Sequence, residues 1–526
     1  MKRLWLIPLL AAAASAHPPT FTEMRDRLPA PFYDAKPDWI DLYWKAWEFA
    51  FRNFYEPPPA SGFVSPFIDA AFNANIFFWD TCFMTMFTNV AHPLVPGIGS
   101  LDNFYAKQHP DGEICREIVR ATGQDFPPWV NRERRPLFSR WGWDGFVKGK
   151  PVGSDAPVVY IGRRPPREIP YLTMDALDHP IAAWAELESF RYTGDRARLA
   201  KVRKPLEAYY EALDKFLKQG NGLYLTDWAC MDDSPRNPYL KGGGTGIDIS
   251  SEMALFARDL ARIASLLGDD ASRRRFEHRA REISRGINRR MWDPQRQFYF
   301  DLTAAGLRAP VKTIAGFWPL LAGVASPQQA AALAASLAPG APFGTRHRVP
   351  TCASDEPGYR AGVYWQGAVW APTNTMVIRG LERYGHDRLA REIALEHLDT
   401  AAATFRATGT IWENYSPDGP ARGRVSQKDF VGWSGIGPIL YLLEYGIGLH
   451  PDAAHNRLEW RVAPGVRSGC RHYRFNGHVV DLAAAPDGKI SVESDGDFEL
   501  RVIRASAVET ISVAGEAHSL KKIFRR

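Results

Sequence analysis

The sequence has 526 residues, of which 45% are hydrophobic and 24% are charged. This composition is typical of a folded protein and excludes wholesale disorder and collagen-like structure. The formal net charge of +6 is too small over this length to indicate a nucleic-acid partner. The chain also contains 17 tryptophans, which suggests flat faces for a ligand in addition to ring packing in the core.

The first residues have the pattern of a secretory signal peptide. Lys2 and Arg3 precede an apolar run over residues 4–14, and an A-x-A cleavage signal ends at Ala16. This run is shorter than the roughly 18 residues that indicate a membrane-spanning helix. The sequence therefore predicts a signal peptide over residues 1–16 and an exported protein, periplasmic or secreted, with no membrane segment after cleavage.

Helical periodicity dominates the chain after a proline-rich stretch, residues 17–36, that is expected to lie over the surface. Asp38 is the predicted N-cap of the first, strongly aromatic helix. Three later pairs of helices are separated by Gly-Asp or Gly-x-Asp, at Gly194, Gly268 and Gly385. These glycines are unevenly spaced, which argues against a regular solenoid and favours a helical toroid with long functional loops.

The last part of the chain has a different pattern. From about residue 457, short alternating runs are separated by turn residues, including Asn476-Gly477, which is a strong hairpin signal. The sequence therefore predicts a helical domain over residues 17–450 and a small, antiparallel, sandwich-like β domain over residues 451–526.

Five predicted loops together concentrate the tryptophans, acidic residues and glycines of the helical part. They cover residues 77–83, 101–116, 228–239, 364–374 and 411–433. Loops on a rigid scaffold are common places for binding and catalysis. Tryptophan faces stack on sugar rings and carboxylates accept hydrogen bonds from hydroxyl groups, so five such loops together indicate carbohydrate handling.

Two carboxyl groups in these loops suit glycosidic hydrolysis, which ordinarily uses one protonated and one ionised carboxyl. Asp232 follows Cys230 and Met231, which make its surroundings apolar and favour a raised pKa of its carboxyl. Glu413 follows an Ile-Trp pair, and Asp233 is expected to cap a helix or bind a sugar hydroxyl. The alternative is that Asp232 is an N-cap and that Glu413 is buried in a pair with an arginine.

The motifs around these carboxyls resemble, in order, those of trehalase-like inverting glycosidases, closest to glycoside hydrolase family 63 and the mannosylglycerate hydrolases. Residues 231–236 are similar to the general-acid motif, and residues 413–419 are similar to the general-base segment. Residues 79–83, 364–370 and 432–434 resemble the Trp-Asp-x-x-Phe, Tyr-Trp-Arg-Gly-Pro-x-Trp and Gly-Trp-Ser segments. Gln366 replaces the arginine, and the trehalase Pro-Gly-Gly-Arg-Phe fingerprint is absent before Trp79.

The resemblance implies an (α/α)6 barrel and an inverting hydrolase of an α-glucoside, an α-mannoside or a related oligosaccharide. Asp232 would be the general acid and Glu413 the general base that activates water. The substrate-binding residues predicted with them are Trp79, Asp80, Gln108, Asp233, Arg236, Trp365, Gln366, Gly367, Trp370, Asn374 and Trp433.

Two other functions remain open at the level of sequence. A polysaccharide lyase on a helical toroid would need a tyrosine or histidine base, for which Tyr239, Tyr359 and His179 are available. A non-catalytic sugar-binding protein would leave Asp232 and Glu413 without a role. Neither a metal nor another cofactor is expected, because the 13 histidines are scattered and no CxxC or HExxH pattern occurs. The pairing of the five cysteines and the oligomeric state are left open.

Overall fold

The computed structural model describes most of the chain outside the N-terminus and one long internal segment. The described residues are 18–126, 146–147, 150–151, 178–226, 231–240, 243–504, 507–515 and 522–524. The predicted signal peptide lies outside them and stays a prediction, as do the contributions of Trp228 and Cys230.

Twelve helices of the described chain form the main body, with shorter helical turns at Phe21–Met24, Asn237–Leu240 and Tyr364–Gly367. The twelve are α1 (Pro37–Phe51), α2 (Phe78–Thr88), α3 (Ser100–Ala106), α4 (Ala182–Thr193), α5 (Arg196–Leu217), α6 (Ile247–Leu266), α7 (Asp270–Arg290), α8 (Trp318–Leu321), α9 (Pro327–Ala335), α10 (Ala371–Arg383), α11 (Asp387–Thr408) and α12 (Ile436–Ile447), the last wound as a π-helix.

The even-numbered helices form a closed ring. Each packs against the next, from α2 through α4, α6, α8 and α10 to α12, and α12 packs back against α2. Odd-numbered helices pack against this ring, as α5 and α7 do on α6 and as α1 and α11 do on α12. The fold is therefore mainly helical, with one set of helices enclosed by another.

Local signals explain the helix boundaries between neighbouring pairs. Gly194 ends α4 in the left-handed conformation, and the Asp195 carboxylate accepts a hydrogen bond from the amide of Arg198 to cap α5. Asp269 caps α7 in the same way. The predicted cap of α1 is wrong, since Lys36 occupies the N-cap position. Pro37 suits the first helical position because of its fixed φ and missing N–H, so the helix begins before Asp38.

Nine strands of the described chain form two sheets beside the helices. They are β1 (Ala30–Tyr33), β2 (Leu449–Asp452), β3 (Arg457–Arg461), β4 (Ser468–Phe475), β5 (His478–Ala484), β6 (Ile490–Ser494), β7 (Phe498–Arg504), β8 (Ala507–Val513) and β9 (Lys522–Phe524). One sheet has the order β1-β4-β5-β6-β9 and the other has the order β2-β3-β7-β8. The rings of Phe475 and Phe498, 5.1 Å apart, join the two sheets. Two-stranded pairs in the loops are Phe54–Tyr55 with Phe67–Ile68, Asn75–Phe77 with Glu117–Val119, Phe146–Val147 with Lys150–Pro151, and Trp292–Asp293 with Phe298–Tyr299.

Two features of the sheets differ from the prediction. The proline-rich segment expected to lie over the surface contributes β1, which pairs antiparallel with β4. The β part is also not wholly antiparallel, because β3 and β7 run parallel. Both pairings join segments that are distant in the sequence, which local periodicity does not reveal. The Asn476-Gly477 hairpin is observed between β4 and β5, with both residues at positive φ.

The sheets pack at the end of the ring where the even-numbered helices finish. β4 contacts the turn that follows α2, and α4 contacts both β2 and β4. The indole of Trp460 on β3 donates a 3.1 Å hydrogen bond to the carbonyl of Ile447 at the end of α12. The opposite end, where these helices begin, is therefore left for the loops that carry the predicted site. None of the described helices combines the length and apolar character needed to cross a membrane.

Candidate functional site

The predicted site residues meet where the helices of the ring begin. Trp79 and Asp80 lie in the first turn of α2, and Asn374 lies in the first turn of α10. The loop of Glu413 is joined to the segment before α10 by paired backbone hydrogen bonds of 2.9 Å between Val369 and Tyr415. The sequence thus brings distant loops to one end of the ring.

Four predicted tryptophans form a continuous aromatic cluster. Trp365 and Trp370 are stacked with their ring centres 4.5 Å apart, and Trp433 lies edge-on to Trp370 at 5.5 Å. Trp79 contacts Trp433 at 5.9 Å and Trp365 at 6.2 Å. All four are almost completely buried. They therefore form a packed wall that holds the loops together, with little ring surface exposed.

Asp232 lies in a loop that is fixed from within. The Asn237 side chain donates hydrogen bonds to the carbonyls of Met231 and Asp232, at 2.9 and 3.1 Å. Burial raises the pKa of the Asp232 carboxyl well above its usual range, and the charges of Asp233 and Glu413 raise it further, against an opposing effect of Arg116. The surroundings therefore favour the protonated form of Asp232, which is the form that a general acid uses.

Glu413 is buried and receives two hydrogen bonds. The Tyr364 hydroxyl donates to one carboxylate oxygen at 3.2 Å, and the amide of Gln427 donates to the other at 3.0 Å. Burial raises the pKa of Glu413 to about 7, although both donors favour the ionised form. Within the described chain no arginine or lysine forms an ion pair with Glu413, so the predicted alternative of an arginine partner is wrong for these residues.

Tyr364 lies near the three carboxyls of the site, and its hydroxyl is bonded to Glu413. Burial raises the pKa of Tyr364 well above the usual value, and the charges of Glu413, Asp232 and Asp80 raise it further. The tyrosine backbone has a positive φ of 22°, a conformation that costs energy for a residue with a side chain. Asp232, Glu413 and Asp80 are therefore grouped around one strained aromatic residue that the sequence analysis did not select.

Asp80 is buried, and its Oδ1 atom has no hydrogen-bond partner among the described residues. Burial raises its pKa well above the usual range, and Asp178 adds to this effect. A buried carboxyl with an unused oxygen is suited to hydrogen bonding with a ligand hydroxyl.

Asp233 and Gln366 tie two loops together. The Asp233 carboxylate accepts hydrogen bonds from the amide of Trp365 at 2.8 Å and from the side chain of Gln366 at 3.1 Å. This caps the short helix Tyr364–Gly367, which is one of the two roles expected of Asp233. A Cβ atom at Gly367 would lie 2.7 Å from the carbonyl of Arg360, so this turn requires glycine.

Three predicted substrate-binding residues also contact neighbouring protein groups. Arg236 is completely buried and forms ion pairs with Asp248 and Asp301. The Gln108 side chain donates to the carbonyls of Gly112 and Pro205, at 2.8 and 2.9 Å. Asn374 is completely buried against His397, 3.4 Å away. The Nη atoms of Arg236 and the side-chain amide of Gln108 have protein partners, and direct binding of substrate by these two residues stays a prediction.

His179, which the sequence analysis considered only as a possible lyase base, supports the aromatic cluster. Its ring stacks on Trp79 at 4.4 Å and lies 6.0 Å from Trp318, and its Nδ1 atom is 2.7 Å from Glu252. The sequence signal was the His-Pro pair directly before α4. Gln427 acts through its backbone amide, so no side-chain pattern could have indicated it.

In the described part of the chain, no group of three or more histidine, cysteine or acidic side chains could hold a metal ion. Cys82, Cys115, Cys352 and Cys470 are buried, and Cys82, Cys352 and Cys470 form no disulfide among the described residues.

Comparison with known families accounts for this arrangement. The model of the mannosylglycerate hydrolase MGH1-like glycoside hydrolase domain matches residues 168–434, about half of the chain. The chain belongs to this family. The match includes the loops of Asp232, Tyr364 and Glu413, and it confirms the resemblance to trehalase-like glycosidases that the motifs indicated.

Individual relatives are more distant. An uncharacterized protein of Borreliella burgdorferi is 31% identical over 299 residues, which are 54% of this chain and 62% of that protein. Mannosylglycerate hydrolase MGH1 of Selaginella moellendorffii is 37% identical over 108 residues, which are 20% of this chain and 21% of the relative. The chain thus spans less than two thirds of the length of these relatives.

A solved structure shares the fold. The family 63 mannosylglycerate hydrolase of Thermus thermophilus, in complex with glucose, superimposes with a TM-score of 0.57 at 21% identity. The superposition covers 76% of this chain and 99% of the Thermus chain. At this identity the likeness concerns the fold alone.

Proposed function

We propose that this protein is an inverting glycoside hydrolase that cleaves an α-glycosidic bond. Asp232 is the general acid that protonates the leaving oxygen, and Glu413 is the general base that activates water. The observation that carries this assignment is the electrostatic effect of the buried Glu413 on the half-buried Asp232, which comes from a distant loop with different surroundings. The surroundings of Asp232 favour its protonated form, while Glu413 has two hydrogen-bond donors that favour its ionised form.

The scaffold of this proposal is an (α/α)6 barrel. The closed ring of α2, α4, α6, α8, α10 and α12, with the odd-numbered helices packed on it, supports this interpretation. The aromatic cluster of Trp79, Trp365, Trp370 and Trp433 forms a wall of the proposed sugar-binding site. Asp80 binds a hydroxyl of the sugar. Asp233, Gln366, Gly367 and Asn374 position the surrounding loops.

The loops around Glu413 favour a substrate with an acidic group beside the sugar, such as mannosylglycerate. Arg360, Arg422, Arg424 and Lys428 are exposed there, and none of them forms an ion pair with a described carboxylate. The amide of Arg424 donates to the carbonyl of Gly362. This contact brings the loop of Arg360 close to the loop that carries the other three cations. Cations on a rim attract an anionic ligand and raise its local concentration.

The two alternatives have less support. His179, one possible lyase base, is enclosed between aromatic rings and bonded to Glu252, so a substrate proton cannot reach it. A non-catalytic sugar-binding protein would have no use for two carboxyls with raised pKa values. Export and the division at residue 450 remain proposals that rest on the sequence pattern.

The test is hydrolysis of mannosylglycerate, glucosylglycerate, trehalose and α-linked oligosaccharides, with NMR of the anomer first released. Asp232→Asn and Glu413→Gln are each expected to lower kcat by about 10²–10⁴-fold. Asp418→Asn, which changes an exposed carboxyl on the same loop as Glu413, should retain parental activity.

Three outcomes would count against the proposal. Near-parental activity of both carboxyl variants would exclude the assigned acid and base. Release of the retained anomer would exclude inversion even if hydrolysis occurs. An unsaturated product that absorbs ultraviolet light would identify a lyase.

A further inference from the structure

A second polar pocket lies at the end of the helix ring opposite to Asp232 and Glu413. Its volume is about 390 Å³, which is within the range of small-molecule sites. Asn89, His92 and Asp195 line it from the helical side, and Arg474 and His478 line it from the β4–β5 hairpin. α2 separates the two sites, since Asp80 is in its first turn and Asn89 directly follows its last residue.

Asn89 has an unused side-chain amide. The residue is 1% exposed, and neither its Nδ2 nor its Oδ1 atom has a hydrogen-bond partner among the residues that the structure describes. Buried polar atoms in folded proteins are nearly always bonded, because an unbonded buried donor or acceptor is costly. Because Asn89 lines the pocket, its amide N–H donors and its carbonyl oxygen are available to a molecule bound there.

Arg474 supplies further donors on the opposite wall. Its Nε atom is buried without a partner, and within the described chain its guanidinium forms no ion pair. Burial lowers the pKa of Arg474, and the nearby charge of Arg27 has the same effect. The charge of Asp495 opposes this effect without forming an ion pair, so the guanidinium is partly desolvated and can donate to a hydroxyl oxygen.

The charges around the pocket select a neutral ligand. The C-terminal ends of α2 and α4 carry partial negative charge, and the Asp195 carboxylate offsets the partial positive charge of the α5 N-terminus that it caps. These groups oppose an anion, while Arg474 and Arg27 oppose a cation. Hydroxyl groups both donate and accept, which matches the two unused atoms of Asn89.

We propose that this pocket is a second binding site, separate from the catalytic site, for a neutral polyhydroxylated compound of about monosaccharide size. The pocket lies at the junction of the helices and the sheets, where the amide of Asn476 donates a 2.6 Å hydrogen bond to the carbonyl of Tyr192. A ligand here contacts both parts of the molecule and favours their packed arrangement.

The experiment titrates the full chain with D-glucose, D-mannose, glycerol and inorganic phosphate by calorimetry, and locates the bound probe in soaked crystals. Asn89→Leu and Arg474→Met are each expected to weaken neutral-probe binding in this pocket at least tenfold. Both variants should keep the parental kcat/KM, because neither residue lies in the catalytic site.

Asn103→Leu is the matched control. Asn103 is also completely buried, but its side chain bonds the amides of Val64 and Ser65 and the carbonyl of Ser65. Its replacement should lower the melting temperature and leave probe binding intact, whereas Asn89→Leu should not lower the melting temperature. Equal destabilisation by the two changes would mean that the Asn89 amide has a structural partner, and this would overturn the proposal.

The binding measurements decide whether the proposed site exists and which ligand class it takes. Density for a neutral probe between Asn89 and Arg474 in the parent, absent in Asn89→Leu, supports the site. A pocket that no neutral probe enters, or binding that both variants leave unchanged, would overturn it. Tighter binding of phosphate than of every neutral probe would overturn the proposed ligand class.

Discussion

The chemistry of the site depends on how single residues control the proton of Glu413. Burial favours the protonated carboxyl, while the Tyr364 hydroxyl and the Gln427 amide favour the ionised one, and the balance places the pKa at about 7. The Tyr364 hydroxyl stays protonated because its own pKa is raised, so it remains a donor at neutral pH. For the proposed reaction, kcat/KM should rise with pH as Glu413 ionises and fall once Asp232 loses its proton.

Tyr364→Phe tests this balance. Removing a donor to the ionised carboxylate raises the pKa of Glu413, so the acidic limb of the kcat/KM profile should move to higher pH. At pH values on the acidic limb, kcat/KM of the variant should be about tenfold lower than that of the parent, which corresponds to the loss of one hydrogen bond to a charged group. The measurement is a pH–rate profile, with Tyr359→Phe as the control on the same loop. A limb that stays in place or moves to lower pH would contradict the role of Tyr364.

The sequence predicted the two carboxyls from loop composition, but it could not predict their partners. Apolar neighbours along the chain identified Asp232 and Glu413, since burial of such segments is a local tendency. Tyr364 and Gln427 depend on the contact between separate loops, and Gln427 acts through its backbone. The ion pairs of Arg236 were unpredictable for a related reason, because its position in the motif does not reveal the buried acids Asp248 and Asp301.

At the scale of elements, the loop of Asp232 is anchored to α6. Arg236 follows Asp232 in that loop and pairs with Asp248 in the first turn of α6 and with Asp301 beyond α7. All three side chains are almost completely buried. This buried triad fixes the loop relative to the helices that carry the rest of the site.

Arg236→Met should therefore affect both stability and catalysis. Two buried carboxylates would lose their partner, which typically costs about 3–5 kcal/mol of unfolding free energy. The loop would also lose its anchor, so kcat should fall more than the affinity for substrate. Denaturant unfolding and steady-state kinetics measure the two effects. The matched control is Arg388→Met, because Arg388 is 91% exposed in its pair with Glu392 and should contribute little. A parental unfolding free energy for Arg236→Met would contradict the anchoring role.

Elements with local signals were predictable, and those without them were not. The Gly-Asp pairs between α4 and α5, and between α6 and α7, were enough to predict both helical hairpins, because caps act over a few residues. The four-residue α8 is too short to show helical periodicity. Strand β1 lacked any signal, since its partner β4 lies more than four hundred residues further along the chain.

At the scale of the whole molecule, segments from near both ends of the described chain lie in one sheet. β1 comes from the N-terminal segment and pairs with β4, and the same sheet contacts the turn after α2. Trp460 on the other sheet is completely buried and bonded to the end of α12. The helices and sheets therefore share buried contacts on both sheets, which favours unfolding as one unit.

Trp460→Ala tests whether the two parts unfold together. Removing a buried tryptophan typically costs about 3–5 kcal/mol, and here the lost contacts include the end of α12 in the helix ring. The expected result is a single calorimetric transition that moves to lower temperature and carries the helical and sheet signals together. Val508→Ala, at a strand position that is 53% exposed, should leave the transition unchanged. Two separate transitions, with only the sheet signal shifted by Trp460→Ala, would show that the sheets form an independent domain, because a shared interface transmits destabilisation to both parts.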